Sequence, residues 1–243
     1  MNRLLARALP LRQSPIVRTS LHFRTMSSKT PITSEVLILR VSATDERFAA
    51  LRRSAAQQGG ATEQYYGEEK ALGPFRPAKA GEAQPIVWVI QWPKTLPENF
   101  DKAAFTKEVT ALDAKGAPET FITAFDDAAL PRPALDAPLT EFATMVLDPA
   151  QISSPPIAKA IEKTFTDCYD APDGGFTGGF WGPATSSNPE HDKLYMYYLG
   201  WENKQLHTKY SQTPLFALEL ENLAPATKNG WAIWVELKRA TDL

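Results

Sequence analysis

The chain repeats itself, and that repeat limits the folds open to it more than any other feature does. Two aromatic residues precede a glycine at Tyr65-Tyr66-Gly67 and again, 115 positions later, at Phe180-Trp181-Gly182. An aromatic strand ending in tryptophan follows each pair, Ile86 to Trp92 and Leu194 to Trp201, with the tryptophans 109 positions apart. Ahead of these, apolar runs of strand length open each half at Val36 to Val41 and Phe142 to Leu147, offset by 106. Each run leads into helical spacing. Asp45 can cap Phe48, Leu51, Arg52 and Ala55 before Gly59-Gly60, and Pro155-Pro156 opens Ile157, Ile161 and Phe165. Further helices are predicted from Glu98 to Leu112 and from Asn203 to about Leu223, and strands from Phe121 to Phe125 and Trp231 to Leu237.

The order is therefore β-α-β-β-α-β, twice, a split βαββαβ unit in tandem. The fold class is α+β, with two sheets that face each other or close into one barrel and helices outside. Residues 27–128 and 140–243 form the halves. Between them, the proline-punctuated stretch 129–139 reads as a linker rather than helix or central strand.

Residues 1–26 have a separate character. They carry Arg3, Arg7, Arg12, Arg18 and Arg24 without one acidic residue, and no apolar run long enough for a secretory signal. A mitochondrial presequence is expected, processed near Arg24, with a minor cytosolic form starting at Met26. Without these residues, 21 basic and 28 acidic side chains leave a charge of about −7, which argues against a nucleic-acid partner. No segment reaches the roughly 20 apolar residues of a membrane span. Cys168 is the single cysteine, so neither an internal disulfide nor a thiolate cluster can form, and no spacing among His22, His191 and His207 suggests a metal site.

The second half carries a resemblance. Tyr197-Tyr198-Leu199-Gly200-Trp201-Glu202-Asn203, then His207 and Thr213-Pro214-Leu215-Phe216, resembles the dimeric α/β-barrel superfamily, and within it the antibiotic-biosynthesis-monooxygenase group. The match is best over residues 141–238. It implies two ferredoxin-like units paired as single-domain members pair in a dimer, so that the chain is a monomer or a homodimer of tandems. It also implies a small aromatic or quinonoid ligand, with cofactor-independent oxygenation as the possible chemistry and neither cofactor nor metal held by the protein. Haem-degrading members use a Trp and a His at positions matched here by Tyr210 and Leu220, which departs from their pattern.

Candidate site residues follow from side-chain chemistry. His207 is the candidate base, because a neutral imidazole can take a proton from a phenol or enol. Asn203, one helical turn earlier, and Tyr197 are candidates to orient or donate, and Trp181, Trp201 and Tyr210 to form the aromatic wall of a ligand cavity. Asn203 also suits a helix cap. Gly174-Gly175 and Gly178-Gly179 read as a turn that can kink a strand, His191 as a solvated loop residue, and Cys168 as a buried small hydrophobe. The alternative to an enzyme is a binding or structural protein that keeps this fold without an active site; it requires a packed interior around His207.

Overall fold

The computed structural model describes residues 29–70, 84–191 and 193–243; the expectations for residues 1–26 and for most of the loop 73–85 lie outside them. The first repeat runs β1 (Ile32–Leu39), α1 (Glu46–Gln57), β2 (Glu63–Lys70), β3 (Ile86–Pro93), α2 (Lys102–Leu112) and β4 (Glu119–Phe125). A short helix, α3 (Arg132–Leu135), leads to β5 (Leu139–Leu147), α4 (Pro155–Thr166), β6 (Phe176–Ser186) and β7 (Leu194–Trp201). The chain ends with α5 (Lys204–Ser211), α6 (Pro214–Leu223), β8 (Thr227–Val235) and the two-residue β9 (Lys238–Arg239).

Every strand pairing is antiparallel, and the order β2-β3-β1-β4-β6-β7-β5-β8 returns to β2, so eight strands close into a barrel within one chain. The repeats meet at two seams. At one, Phe121, Ile122 and Thr123 of β4 pair with Ser186, Thr185 and Ala184 of β6. At the other, Glu69 and Lys70 of β2 pair with Val235 and Trp234, and β9 continues that edge against Tyr65 and Tyr66. Among the described residues, closure leaves no long sheet edge to template pairing with another chain.

Alternation along the strands divides the apolar residues between three cores. The barrel interior holds Ile32, Val36, Ile38, Val87, Val89, Phe121, Phe125, Phe142, Met196, Tyr198 and Ile233. In its polar centre the Tyr198 hydroxyl and the Gln91 amide each donate to Ser34 Oγ at 3.0 Å, while Gln91 Oε1 and Thr123 Oγ1 are buried without a hydrogen-bond partner among the described residues. Outside the barrel, α1 and α2 cover Leu37, Trp88, Ile90 and Trp92, while α4, α5 and α6 cover Tyr197, Leu199, Trp201 and Trp234.

Three local expectations change. The linker is not free of helix: Pro131 and Pro133 stand at the start of α3, where no backbone N–H is required, and its Ala134 and Leu135 are buried in the barrel core. The single helix expected over 203–223 is two, because Pro214 cannot continue α5; Thr213 restarts the chain, its Oγ1 accepting from Phe216 N–H at 3.1 Å. Likewise α2 begins at Lys102 rather than Glu98, where Asp101 caps Ala104 N–H at 2.9 Å. Of the four glycines near 174–179, the first two lie in a turn. The second pair lies inside β6 at a register shift, and Gly179 takes φ 155°.

Candidate functional site

The two repeats place the same pair of side chains under their helices. Glu35 of β1 and Glu141 of β5 hold equivalent register positions, and so do Trp92 of β3 and Trp201 of β7. In each repeat the indole N–H donates to the carboxyl group, at 2.6 Å to Glu35 Oε2 and 3.0 Å to Glu141 Oε2. What differs is the base brought by the following helix. Lys102, the first residue of α2, donates to Glu35 Oε2 at 2.6 Å and lies over the Trp92 ring at 4.4 Å. His207 stands deeper in α5, with Nε2 at 3.5 Å from Glu141 Oε2.

That difference sets the charge. Glu141 is buried, and loss of water pushes its carboxyl up to about 8, with the Trp201 hydrogen bond acting weakly in the other direction. Burial lowers His207 to about 4, helped by the Lys204 charge. The distance alone would permit an ion pair, but desolvation governs both groups, so near neutral pH the proton resides on the carboxyl and the imidazole is uncharged. Trp201 and Trp234 clamp the ring, with centroids 4.9 and 4.3 Å away.

The remaining candidates fall in two groups. Tyr210 lies beside Trp201 at 5.7 Å and its hydroxyl donates to Glu219 Oε1 at 2.6 Å. Glu219 is itself pushed up to about 7, chiefly by burial. Tyr197 and Trp181 stack on each other at 5.9 Å, and the Tyr197 hydroxyl donates to the Ile161 carbonyl at 2.8 Å. Asn203 caps α5, accepting from Leu206 N–H at 3.0 Å. Thus His207, Trp201 and Tyr210 come together, whereas Tyr197 and Trp181 lie against α4 and Asn203 serves the backbone. Cys168 is buried, and desolvation raises its thiol well above its ordinary value.

His191 has a defined tautomer. Asn188 Oδ1 accepts from Glu190 N–H, so its amide nitrogen faces His191 Nε2 at 3.2 Å. Nε2 is then the acceptor and Nδ1 donates to Ser186 Oγ at 3.3 Å, the reverse of what a base activating that serine would need.

An open cleft exists on the first repeat. It measures about 270 Å³ between α2 and the β4–β6 seam, with Glu35 and Lys102 on its lining, Phe105, Val109 and Ile122 as apolar walls, and Thr120 and Ser187 nearby. Register pairs Ile122 with Glu35 and Trp234 with Glu141, so Ile122 and Trp234 are equivalent. The indole of Trp234 packs on His207; Ile122 is too small to cover Lys102 and remains 37% exposed. Glu35 and Lys102 were not among the residues singled out from the sequence. The 106-residue offset between the opening strands pairs Glu35 with Glu141, but only the register shows each carboxylate beneath its tryptophan.

This architecture has counterparts among solved structures. A candidate monooxygenase from Fusobacterium nucleatum superposes with a TM-score of 0.51 at 8% identity, covering 88% of this chain and 95% of that one. A candidate monooxygenase from Lactobacillus acidophilus covers 88% and 97% at 14% identity and a TM-score of 0.49. A ferredoxin-fold protein related to antibiotic biosynthesis monooxygenases, from Listeria monocytogenes, covers 84% and 95% at 11% identity and a TM-score of 0.39. No family model and no curated protein matches the sequence. The α+β barrel fold is thereby shared with a solved structure of nearly the same span. Fold does not carry chemistry with it. No helix among the described residues is long and apolar enough to cross a membrane.

Proposed function

We propose that this protein binds a small aromatic or quinonoid molecule in the cleft of its first repeat, and that the second repeat is its packed structural counterpart. The observation that carries this reading is the cleft itself, open over the Glu35–Lys102 pair where the sister position is filled by Trp234. At about 270 Å³ it suits one ring or two fused rings, near the lower end of ligand sites. Phe105, Val109 and Ile122 supply flat apolar contact, and the Lys102 ammonium can donate to a carbonyl or phenolate oxygen.

Binding, rather than oxygenation with His207 as base, is the function favoured. An imidazole held near 4 is a poor acceptor for a phenolic proton, and its ring is clamped between two indoles. The test is a titration of phenols, naphthols and quinones followed by protein-observed NMR. Ile122→Trp copies the sister repeat and should fold, yet weaken binding by roughly a hundredfold by filling the cleft; Lys102→Met should weaken it about tenfold. Unchanged affinity in Ile122→Trp would remove the cleft from consideration. The mitochondrial address belongs to the same proposal. A reporter carrying residues 1–26 should enter mitochondria, and a reporter left in the cytosol would overturn it.

A further inference from the structure

One position on α1 breaks the pattern of its sister repeat. Counting from the N-caps Asp45 and Ser154, Arg52 of α1 is equivalent to Ile161 of α4, and both are buried. A guanidinium thus occupies a site where the fold accepts an aliphatic side chain. It lies 4.7 Å from the Phe48 ring centroid and 4.3 Å from that of Tyr66, and the residue is 3% exposed. One nitrogen is engaged: Nη2 donates to Asp242 Oδ2 at 2.5 Å. Nε and Nη1 are buried without a hydrogen-bond partner among the described residues. Buried donors left unmade are costly, and a guanidinium is built to present two parallel N–H groups to one planar acceptor.

The partner it does have comes from the end of the chain. Asp242 follows β9, its side chain is 52% exposed, and the neighbouring backbone tie is Ala240 N–H to the Gln64 carbonyl at 2.9 Å. The Arg52 site is therefore walled by two rings and closed on its solvent side by a half-exposed carboxylate. We propose that Arg52 is the receptor of a carboxylate-binding site, distinct from the cleft beneath α2, and that Asp242 occupies it in cis until a ligand carboxylate displaces the tail. The ligand is a small planar carboxylate, because the guanidinium lying over Phe48 and Tyr66 is a flat cation whose N–H fork matches a planar acceptor. A competitor tethered within the chain reduces the apparent affinity by the fraction of time it is bound.

The experiment uses benzoate as probe, with inorganic phosphate as the comparison anion, on the full chain. Asp242→Ala removes the internal competitor, and should bind benzoate about tenfold more tightly than the native chain, read from the Arg52 Nε–H resonance. Benzoate should also raise the melting temperature of Asp242→Ala, and restore folding if that variant does not fold alone. Arg52→Ile together with Asp242→Ala copies the sister repeat, and should fold and ignore benzoate. The proposal fails if benzoate neither binds nor rescues Asp242→Ala, if binding survives in Arg52→Ile, or if the native chain shows no response at concentrations that saturate the variant. Phosphate binding as tightly as benzoate would overturn the planar carboxylate as the ligand class.

Discussion

Glu141→Gln is expected to abolish most of the fall in stability that the native protein shows between pH 7 and 8. The folded carboxyl titrates near 8, against an ordinary value of 4.5, so the folded state keeps a proton that the unfolded chain gives up. Stability from this group is complete below 4.5 and is lost as pH rises to 8. His207 acts in the opposite sense: held near 4 against 6.5, it costs stability in acid and ceases to do so as pH rises through 6.5. The two effects oppose each other between 4.5 and 6.5. Glu219, raised to about 7, adds a fall below that pH. Between 7 and 8 Glu141 is the larger contributor while Glu219 completes its titration, and the Glu141 share of the slope is roughly 1 kcal/mol per pH unit. The amide introduced by Glu141→Gln would keep an oxygen acceptor for the Trp201 indole, so the fold should persist. Denaturant midpoints at pH 6, 7 and 8 decide the matter; parallel declines in native and variant would show that Glu141 is not the buried acid responsible.

Gly179→Ala is expected to cost well over about 3 kcal/mol, enough to lower the melting temperature by roughly 10 °C or more. Its φ of 155° lies where side chains rarely go, and a Cβ there would sit 1.9 Å from the Tyr198 carbonyl oxygen. The strand cannot yield cheaply, because β6 and β7 carry Phe180 and Tyr198 into the barrel. Gly182→Ala, whose nearest neighbour would be a Thr123 methyl at 3.4 Å, is the control and should cost far less. Equal melting temperatures for the two variants would refute the argument.

Much of the architecture was legible because repetition and strand alternation are local signals. The offsets near 106 to 115 residues predicted two βαββαβ units, and the spacing of Phe48, Leu51 and Ala55 predicted α1 with its Asp45 cap, whose side chain accepts from Arg47 N–H at 2.8 Å. Local chemistry misled where proline has two meanings. Pro131 and Pro133 suggested a linker without helix, yet at a helix start they cost no hydrogen bond, and the buried surface of Leu135 favours the turn.

The sequence by itself determined the tandem α+β organisation, the acidic body with its basic N-terminal segment, and the aromatic strands that end in Trp92 and Trp201. It also singled out His207 and Trp201 as candidate site residues, but grouped His207 with Tyr197 and Trp181 rather than with Trp201. Tertiary structure alone decided what those residues can do. Whether a histidine is a base depends on the water around it, and burial beside Glu141 between two indoles lowers His207 to about 4. Whether a repeat keeps a cleft depends on one side chain reaching across from a neighbouring strand, Ile122 in one half and Trp234 in the other. Such contacts join residues some 90 positions apart, and desolvation is a property of the space they enclose, which no local pattern in the chain encodes.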